Sequence, residues 1–396
     1  MKVFYINDNY PEKRCVISKA FGCDYIPLAA ASSVCNIKGV IEKLQHAFAH
    51  RYSRYRGEKT LSCYWLLKRD GVVHTFNSCI SGRNKWCATF ETVLPRTNYT
   101  RIGLPDSKKV DKATLKQFRL LAKDNCLGCM ALSQASYDLQ MAALNKMSAY
   151  LSAKEVMSIQ NKTKVLHPPQ EVLLSEAEIE KKFENIETLD LIFVGHDFFR
   201  KGGKELLDCL IAIRSQGETF HDFRLTVVSC LNYGDYASHA SKEEMLQYKE
   251  LVENTDWIDF YESLPNEEVI ALCKKAHIGL LPTMADTYGY SVLEMQACGC
   301  AMVTTDIRSL PEINDESSGW ICHLPQNEYK EAFYRTEEER QNLKQVLYDE
   351  LMYVCKRLMN ASTAEILTKA INARKRIEEE HNPYNYSERL KIIWKS

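Results

Sequence analysis

The sequence predicts an α/β chain of two parallel-sheet domains, and three observations carry that reading. Short apolar runs alternate with segments of helical period along most of the chain, the pattern of strands joined by crossover helices. Residues 277–305 read as strand, loop, helix and strand, a complete βαβ unit. His167-Pro168-Pro169 bars both helix and central strand, so it divides the chain near residue 170. At 396 residues and 45% hydrophobic content, there is enough chain for two cores of ordinary size. The expected division is 1–169, 170–362 and a helical segment 363–396.

Residues 3–6 read as the opening strand. A dinucleotide site would place a glycine-rich turn after it, whereas this chain has Asn7-Asp8-Asn9. A helix is expected from 36 to 55, because Ile41, Leu44, Phe48, Tyr52 and Tyr55 recur at spacings of three and four. With Lys38, Lys43, Arg51, Arg54, Arg56 and Lys59 it forms a basic, aromatic segment, 36–59, suited to an anionic membrane surface; an ordinary surface helix is the competing reading. Residues 61–67 and 72–76 read as two strands joined as a hairpin through Lys68-Arg69-Asp70-Gly71. Helices are expected at 115–123 and 137–151, with a strand at 129–133 between them.

Beyond the prolines, residues 189–195 form the strand LDLIFVG. A polar loop with Arg200-Lys201-Gly202-Gly203 follows, then a helix with Leu206, Leu207, Leu210 and Ile211 on one face. Two cations at a glycine-rich helix start suit a diphosphate: the glycines would expose amides while the side chains neutralise charge. Strands at 223–229 and 258–261 and helices at 243–253 and 267–276 lead to the strand 277–281.

The loop after that strand holds Asp286 and Gly289, and residues 290–298 read as a helix. Unpaired first-turn N–H groups of Tyr290, Ser291 and Val292 would hold a phosphate, with Gly289 permitting close approach. Asp286 and Glu294 flank this position. Carboxylates repel a phosphate, so their expected partners are hydroxyls, those of a hexose and a ribose. A nucleotide sugar offers both.

This stretch resembles the signature of the retaining glycosyltransferases of family 4: an acidic residue, seven others and a Glu, then a small-Cys-Gly segment, a strand, an Asp and a Pro-Glu. Here these are Asp286, Glu294, Ala297-Cys298-Gly299, Asp306 and Pro311-Glu312. The family usually has Glu at the position of Asp286, often Gly-Gly at Arg308-Ser309, and an Arg where His196 follows Gly195.

The resemblance implies the GT-B fold, two Rossmann-like domains facing across a cleft, with a C-terminal helix returning to the N-terminal domain. It implies donor contacts from Gly195, Lys201 and Gly202, with Arg200 expected to supply the charge of the Arg that His196 replaces, a sugar contact from Asp286 and a ribose contact from Glu294. The base would lie near Ser263 and Leu264. His74, near a strand end, would face the donor sugar across the cleft, and Asn77, Arg83 and Glu91 would line the acceptor side. No cofactor or metal is implied. The expected function is transfer of a sugar from a nucleotide sugar to a glycan or lipid-linked acceptor with retention, in cell-surface polysaccharide or glycolipid synthesis. An epimerase or hydrolase of the same fold, or a non-catalytic nucleotide- or glycan-binding protein, are the alternatives.

Composition narrows the setting. No 18-residue apolar stretch and no signal peptide are read from the sequence, and fifteen cysteines, an odd number, point to reduced thiols in a cytoplasm. Cys126-Leu-Gly-Cys129 lacks a second pair at zinc spacing and reads as structural. The first 110 residues carry 18 Lys and Arg against 8 Asp and Glu, although the whole chain has a formal net charge of −1. That half is expected to face something anionic, such as the cytoplasmic face of a membrane. No nucleic-acid-binding motif accompanies the charge.

Overall fold

The computed structural model describes residues 1–6, 15–28, 61–63, 70–97, 99–100, 110–217, 221–234 and 236–395. The basic segment 36–59 and the Asn7-Asp8-Asn9 stretch lie outside the described residues. The chain forms two compact units, Met1–Pro169 with His381–Ser396, and Gln170–Glu380.

The first unit holds β1 (Lys2–Ile6), β2 (Asp24–Leu28), β3 (Leu61–Cys63), β4 (Val72–Phe76), β5 (Cys79–Ser81), β6 (Lys85–Phe90), β7 (Cys126–Ala131) and β8 (Thr163–Val165). Its main sheet runs β2-β1-β4-β6-β7-β8, and every neighbouring pair is parallel. Among the described residues the expected hairpin is not formed. β3 pairs in parallel with β5 in a separate two-stranded sheet, while β4 lies between β1 and β6. A turn signal such as Lys68–Gly71 is local, and the crossover pairing of a parallel sheet overrides it.

Period-2 alternation then sorts the side chains. Val73, Trp86, Ala88 and Phe90 pack with Phe118, Leu121, Leu144 and Ile159 of the helices Lys112–Ala122, Gln134–Met147 and Ala153–Lys162. Val72, Cys87 and Met130 pack instead with Tyr386, Leu390 and Trp394. The helix Pro383–Lys395 therefore covers the second face of this sheet. The expected 363–396 segment is divided: the helix Thr363–Glu380 belongs to the second unit, where it packs on β13 and the helices Tyr290–Ala297 and Glu176–Lys182, and only the last helix belongs to the first.

The second unit contains β9 (Thr188–Val194), β10 (Asp222–Val228), β11 (Ile258–Tyr261), β12 (Ile278–Leu281), β13 (Ala301–Thr305) and β14 (Gly319–Cys322). They form a parallel sheet in the order β11-β10-β9-β12-β13-β14. Counting within the unit this is 3-2-1-4-5-6, the doubly wound order, and β12 and β13 are buried along their whole length because helices cover both faces. Strand order reverses between β9 and β12. Such sheets bind ligands outside the carboxyl ends of the strands at that reversal.

Candidate functional site in the second unit

Both loops singled out in the sequence leave the sheet at this switch point. Gly195 follows β9, and Pro282 begins the loop after β12. Several bonds tie the loops together. The Arg200 carbonyl accepts from the Met284 N–H at 3.0 Å and the Thr283 hydroxyl at 3.3 Å, and the Arg200 guanidinium donates to the Ala285 carbonyl. Thr305 on β13 donates its hydroxyl to the Thr283 carbonyl at 2.7 Å, so the neighbouring strand holds the second loop too.

The glycines here serve packing rather than amide supply. The Gly202 and Gly203 N–H groups, expected to face a phosphate, donate to the Phe199 and Phe198 carbonyls at 3.1 and 2.9 Å. Gly202 has φ +75°, and any Cβ on it would overlap the Pro282 carbonyl. At Gly195 a Cβ would stand 3.0 Å from the Lys201 Cγ. Its absence makes room for the lysine stem.

That lysine is the centre of the site. Lys201 Nζ is ion-paired with Asp286 Oδ2, with only 11% and 12% of the two side chains exposed. Burial pushes the Asp286 carboxyl up, but the Lys201 ammonium, the hydrogen bond to it, Arg200 and the Thr287 N–H at 2.8 Å outweigh burial and hold it below the usual carboxylate range. Burial likewise lowers Lys201, and Asp286 offsets part of that loss. Arg200 bonds Asp197 at 2.8 Å and lies 5.6 Å from the centre of the Tyr236 ring. Two cations thus point into the switch region, each held by its own acid.

The helix Tyr290–Ala297 begins at Gly289, in the left-handed region at φ +95°, where a Cβ would come 2.7 Å from Leu310. Tyr290 and Ser291 form its first turn, half-buried. Val292 corrects the expectation: its N–H donates to the Gly289 carbonyl at 2.9 Å, and its side chain is fully buried. Glu294, one turn on, accepts from Asn266 Nδ2 at 3.2 Å. This bond brings the turn containing Ser263 and Leu264 to the same helix, so the base and ribose candidates share one edge of the unit.

In the first unit the candidates separate. Its order has a switch point between β1 and β4, and Asn77 follows β4 there. Asn77 has φ +53° and exchanges bonds with Glu91 at the end of β6: the Glu91 N–H donates to Asn77 Oδ1 at 3.1 Å and Asn77 Nδ2 to Glu91 Oε2 at 3.4 Å. Arg83 does not join them. It precedes β6 and is therefore at the amino edge of the same sheet, a strand length away.

His74 is also displaced from the expected role. It shares parity with Val72, so it faces the returning helix; it is 0% exposed, bonds the Thr89 hydroxyl at 2.8 Å and meets the Trp394 ring edge-on at 5.9 Å. Burial depresses its pKa to about 3, so it stays neutral in the core. His74→Ala should lower unfolding stability by about 2–3 kcal/mol through the cavity left behind. Denaturant unfolding checks this, and an unchanged midpoint with lost activity would instead return His74 to the chemistry.

Comparison with known proteins agrees with this architecture. Residues 175–348 match the family model described as Glycosyl transferases group 1. No curated protein matches the sequence significantly. Among solved structures, the E. coli trehalose-6-phosphate structure bound with UDP-2-fluoro glucose is 11% identical at a TM-score of 0.61, covering 100% of this chain and 99% of that one. A glycosyltransferase from Rickettsia africae ESF-5 is 13% identical at 0.57, covering 99% and 97%. Anabaena Alr3699/HepE in complex with UDP and glucose is 12% identical at 0.54, covering 100% of both chains. The fold is GT-B. The family match on the second unit and the GT-B likeness over the whole chain together support a glycosyltransferase.

Within this GT-B chain, sequence reading missed Asp197, Tyr236 and Asn266. Asp197 had a signal, an acid three residues before Arg200. Asn266 and Tyr236 reach the site only through the sheet order, which no local pattern reveals. Among the described residues no helix is long and apolar enough to cross a membrane, and no cluster of three or more His, Cys, Asp or Glu is placed to hold a metal ion.

Proposed function

We propose that this protein is a retaining glycosyltransferase that takes a sugar from a nucleotide sugar, bound in the second unit, and delivers it to a glycan or lipid-linked acceptor bound in the first. The observation that carries the proposal is the convergence of the Arg200-Lys201 loop and the Asp286 to Glu294 stretch at the β9/β12 switch point. Glu294 and the Ser263-Leu264 turn suit a nucleoside. Arg200 and Lys201 suit its diphosphate, with Asp286 beside the lysine to receive sugar hydroxyls.

The chemistry asks little of a protein base. As the bond from C1 to the phosphate oxygen breaks, charge develops on the leaving diphosphate, where Lys201 and Arg200 are already in place. The acceptor oxygen bonds C1 on the same face and its proton passes to the leaving phosphate oxygen. Asp286, held as an anion by Lys201, is then a positioning group rather than an acid. Synthesis of cell-surface polysaccharide or glycolipid is the setting that fits, and the basic segment 36–59 would meet the cytoplasmic membrane face there.

The test is a thermal-shift series with UDP, GDP, ADP, CMP and their common sugar conjugates, run beside Glu294→Ala. A ligand at about 100 times its Kd stabilises by roughly 2.7 kcal/mol. One nucleotide should raise the melting temperature of the wild type, and the variant should lose most of that rise. If none does so, the donor site is not where we place it.

A further inference from the structure

Tyr236 lies outside every motif discussed so far, yet it touches the cation on which the proposed diphosphate contact depends. It sits in the loop after β10, which a backbone bridge between Gly234 and Ala240 closes, with the Gly234 N–H donating to the Ala240 carbonyl at 3.2 Å. Ala237 and His239 of this loop hold φ of +54° and +47°. Left-handed backbone at non-glycine residues is costly, and it collects at ligand clamps. The tyrosine is 58% exposed, so neither core packing nor burial accounts for its placement.

Its ring is fixed on two sides. The Arg200 guanidinium carbon lies 5.6 Å from the ring centre, within cation–π range. Tyr334 meets the ring at 5.9 Å and 82°, an edge contact. Tyr334 is itself anchored by its hydroxyl on Glu331 at 3.4 Å, and Glu331 pairs with Arg308 at 2.6 Å. A relay of side chains therefore runs from Arg308 to Arg200.

We propose that Tyr236 is a positioning residue that holds the Arg200 guanidinium over the diphosphate of the donor. The proposal rests on the donor-site reading above. Asp197 and the Ala285 carbonyl already fix two edges of the guanidinium. A ring against its face completes the restraint without adding a negative charge, so the cation keeps its attraction for phosphate while losing rotational freedom. Tyr236 acts through Arg200 and touches no reacting atom.

The experiment measures Kd by calorimetry for UDP, GDP and ADP and for the corresponding monophosphates, on the full chain and on Tyr236→Ala, Tyr236→Phe, Arg200→Ala and the Tyr236→Ala/Arg200→Ala double variant. Binding to the wild type tests the donor site by itself; if no nucleotide binds, both the site and this inference fall. Where one binds, Tyr236→Ala should weaken the diphosphate about 5- to 30-fold, the range a partly desolvated cation–π contact implies, and leave the monophosphate within about 2-fold. Tyr236→Phe should bind the diphosphate like the wild type, since it keeps the ring. In the Arg200→Ala background the tyrosine change should add nothing. Equal weakening of both nucleotides, a loss in Tyr236→Phe as large as in Tyr236→Ala, or an undiminished effect without Arg200 would each overturn the role, the first by making Tyr236 a platform for the base.

Discussion

Lys201→Ala should lower the rate of sugar transfer by about 10²- to 10³-fold, the loss expected when one preorganised charge is removed from a leaving group. It should also unfold more readily. Asp286 would remain buried without its ion partner, and breaking such a pair from one side costs about 3 kcal/mol or more. The pH dependence separates this from a general packing defect. In the wild type the Asp286 pKa is depressed, so its contribution is present above the ordinary carboxylate range and is lost as pH falls through the lower folded value. In the variant, burial acts without the ammonium to offset it, so the carboxyl is raised and its penalty disappears on acidification. Urea unfolding at pH 7.5 and at pH 4 should show the gap between the two proteins narrowing at the lower pH. Replacing both partners, Lys201→Met with Asp286→Leu, should recover most of the stability and none of the transfer. Transfer within a few-fold of wild type in Lys201→Ala would remove the lysine from the diphosphate.

Much of this molecule was legible locally. In the second unit, β11 falls at the expected residues, and the helix Tyr290–Ala297 does so to within one. β12 and β13 there are apolar runs buried along their whole length. The first unit was less legible. β5 and β6 lie in a stretch, 78–90, broken by Ser, Gly and Asn, where turn residues mask two short strands. His74 illustrates a different gap: strand parity fixes its face from the sequence, but only the return of Trp394 shows that the face is closed. At the site, residue types pointed to a diphosphate, while the bonding of the glycine amides depended on the turn actually adopted. Gly202 and Gly203 look like amide donors in sequence and act as points of close approach in the fold.

Gly202→Ala is accordingly expected to be among the most damaging single changes in the chain. The left-handed φ of +75° alone costs an alanine about 1 kcal/mol. The larger effect is steric. The added methyl would overlap the Pro282 carbonyl, which is backbone and cannot rotate away, and Leu347 closes the remaining side at 3.1 Å. Either the loop after β12 or the start of the helix Gly203–Gln216 must shift, for a total of about 4–5 kcal/mol. Gly217 provides the control. It has φ +66°, at the other end of the same helix, and among the described residues nothing lies within 4 Å of its missing Cβ. Gly217→Ala should therefore show the conformational cost alone, about 1 kcal/mol. Denaturant midpoints of the two variants measure the difference directly. A Gly202→Ala protein no less stable than Gly217→Ala would mean that the Pro282 and Gly202 backbones are not in contact. Were they apart, the ion pair of Lys201 with Asp286 would lose the backbone contact that sets it, because Lys201 and Asp286 sit on the two loops that this contact joins.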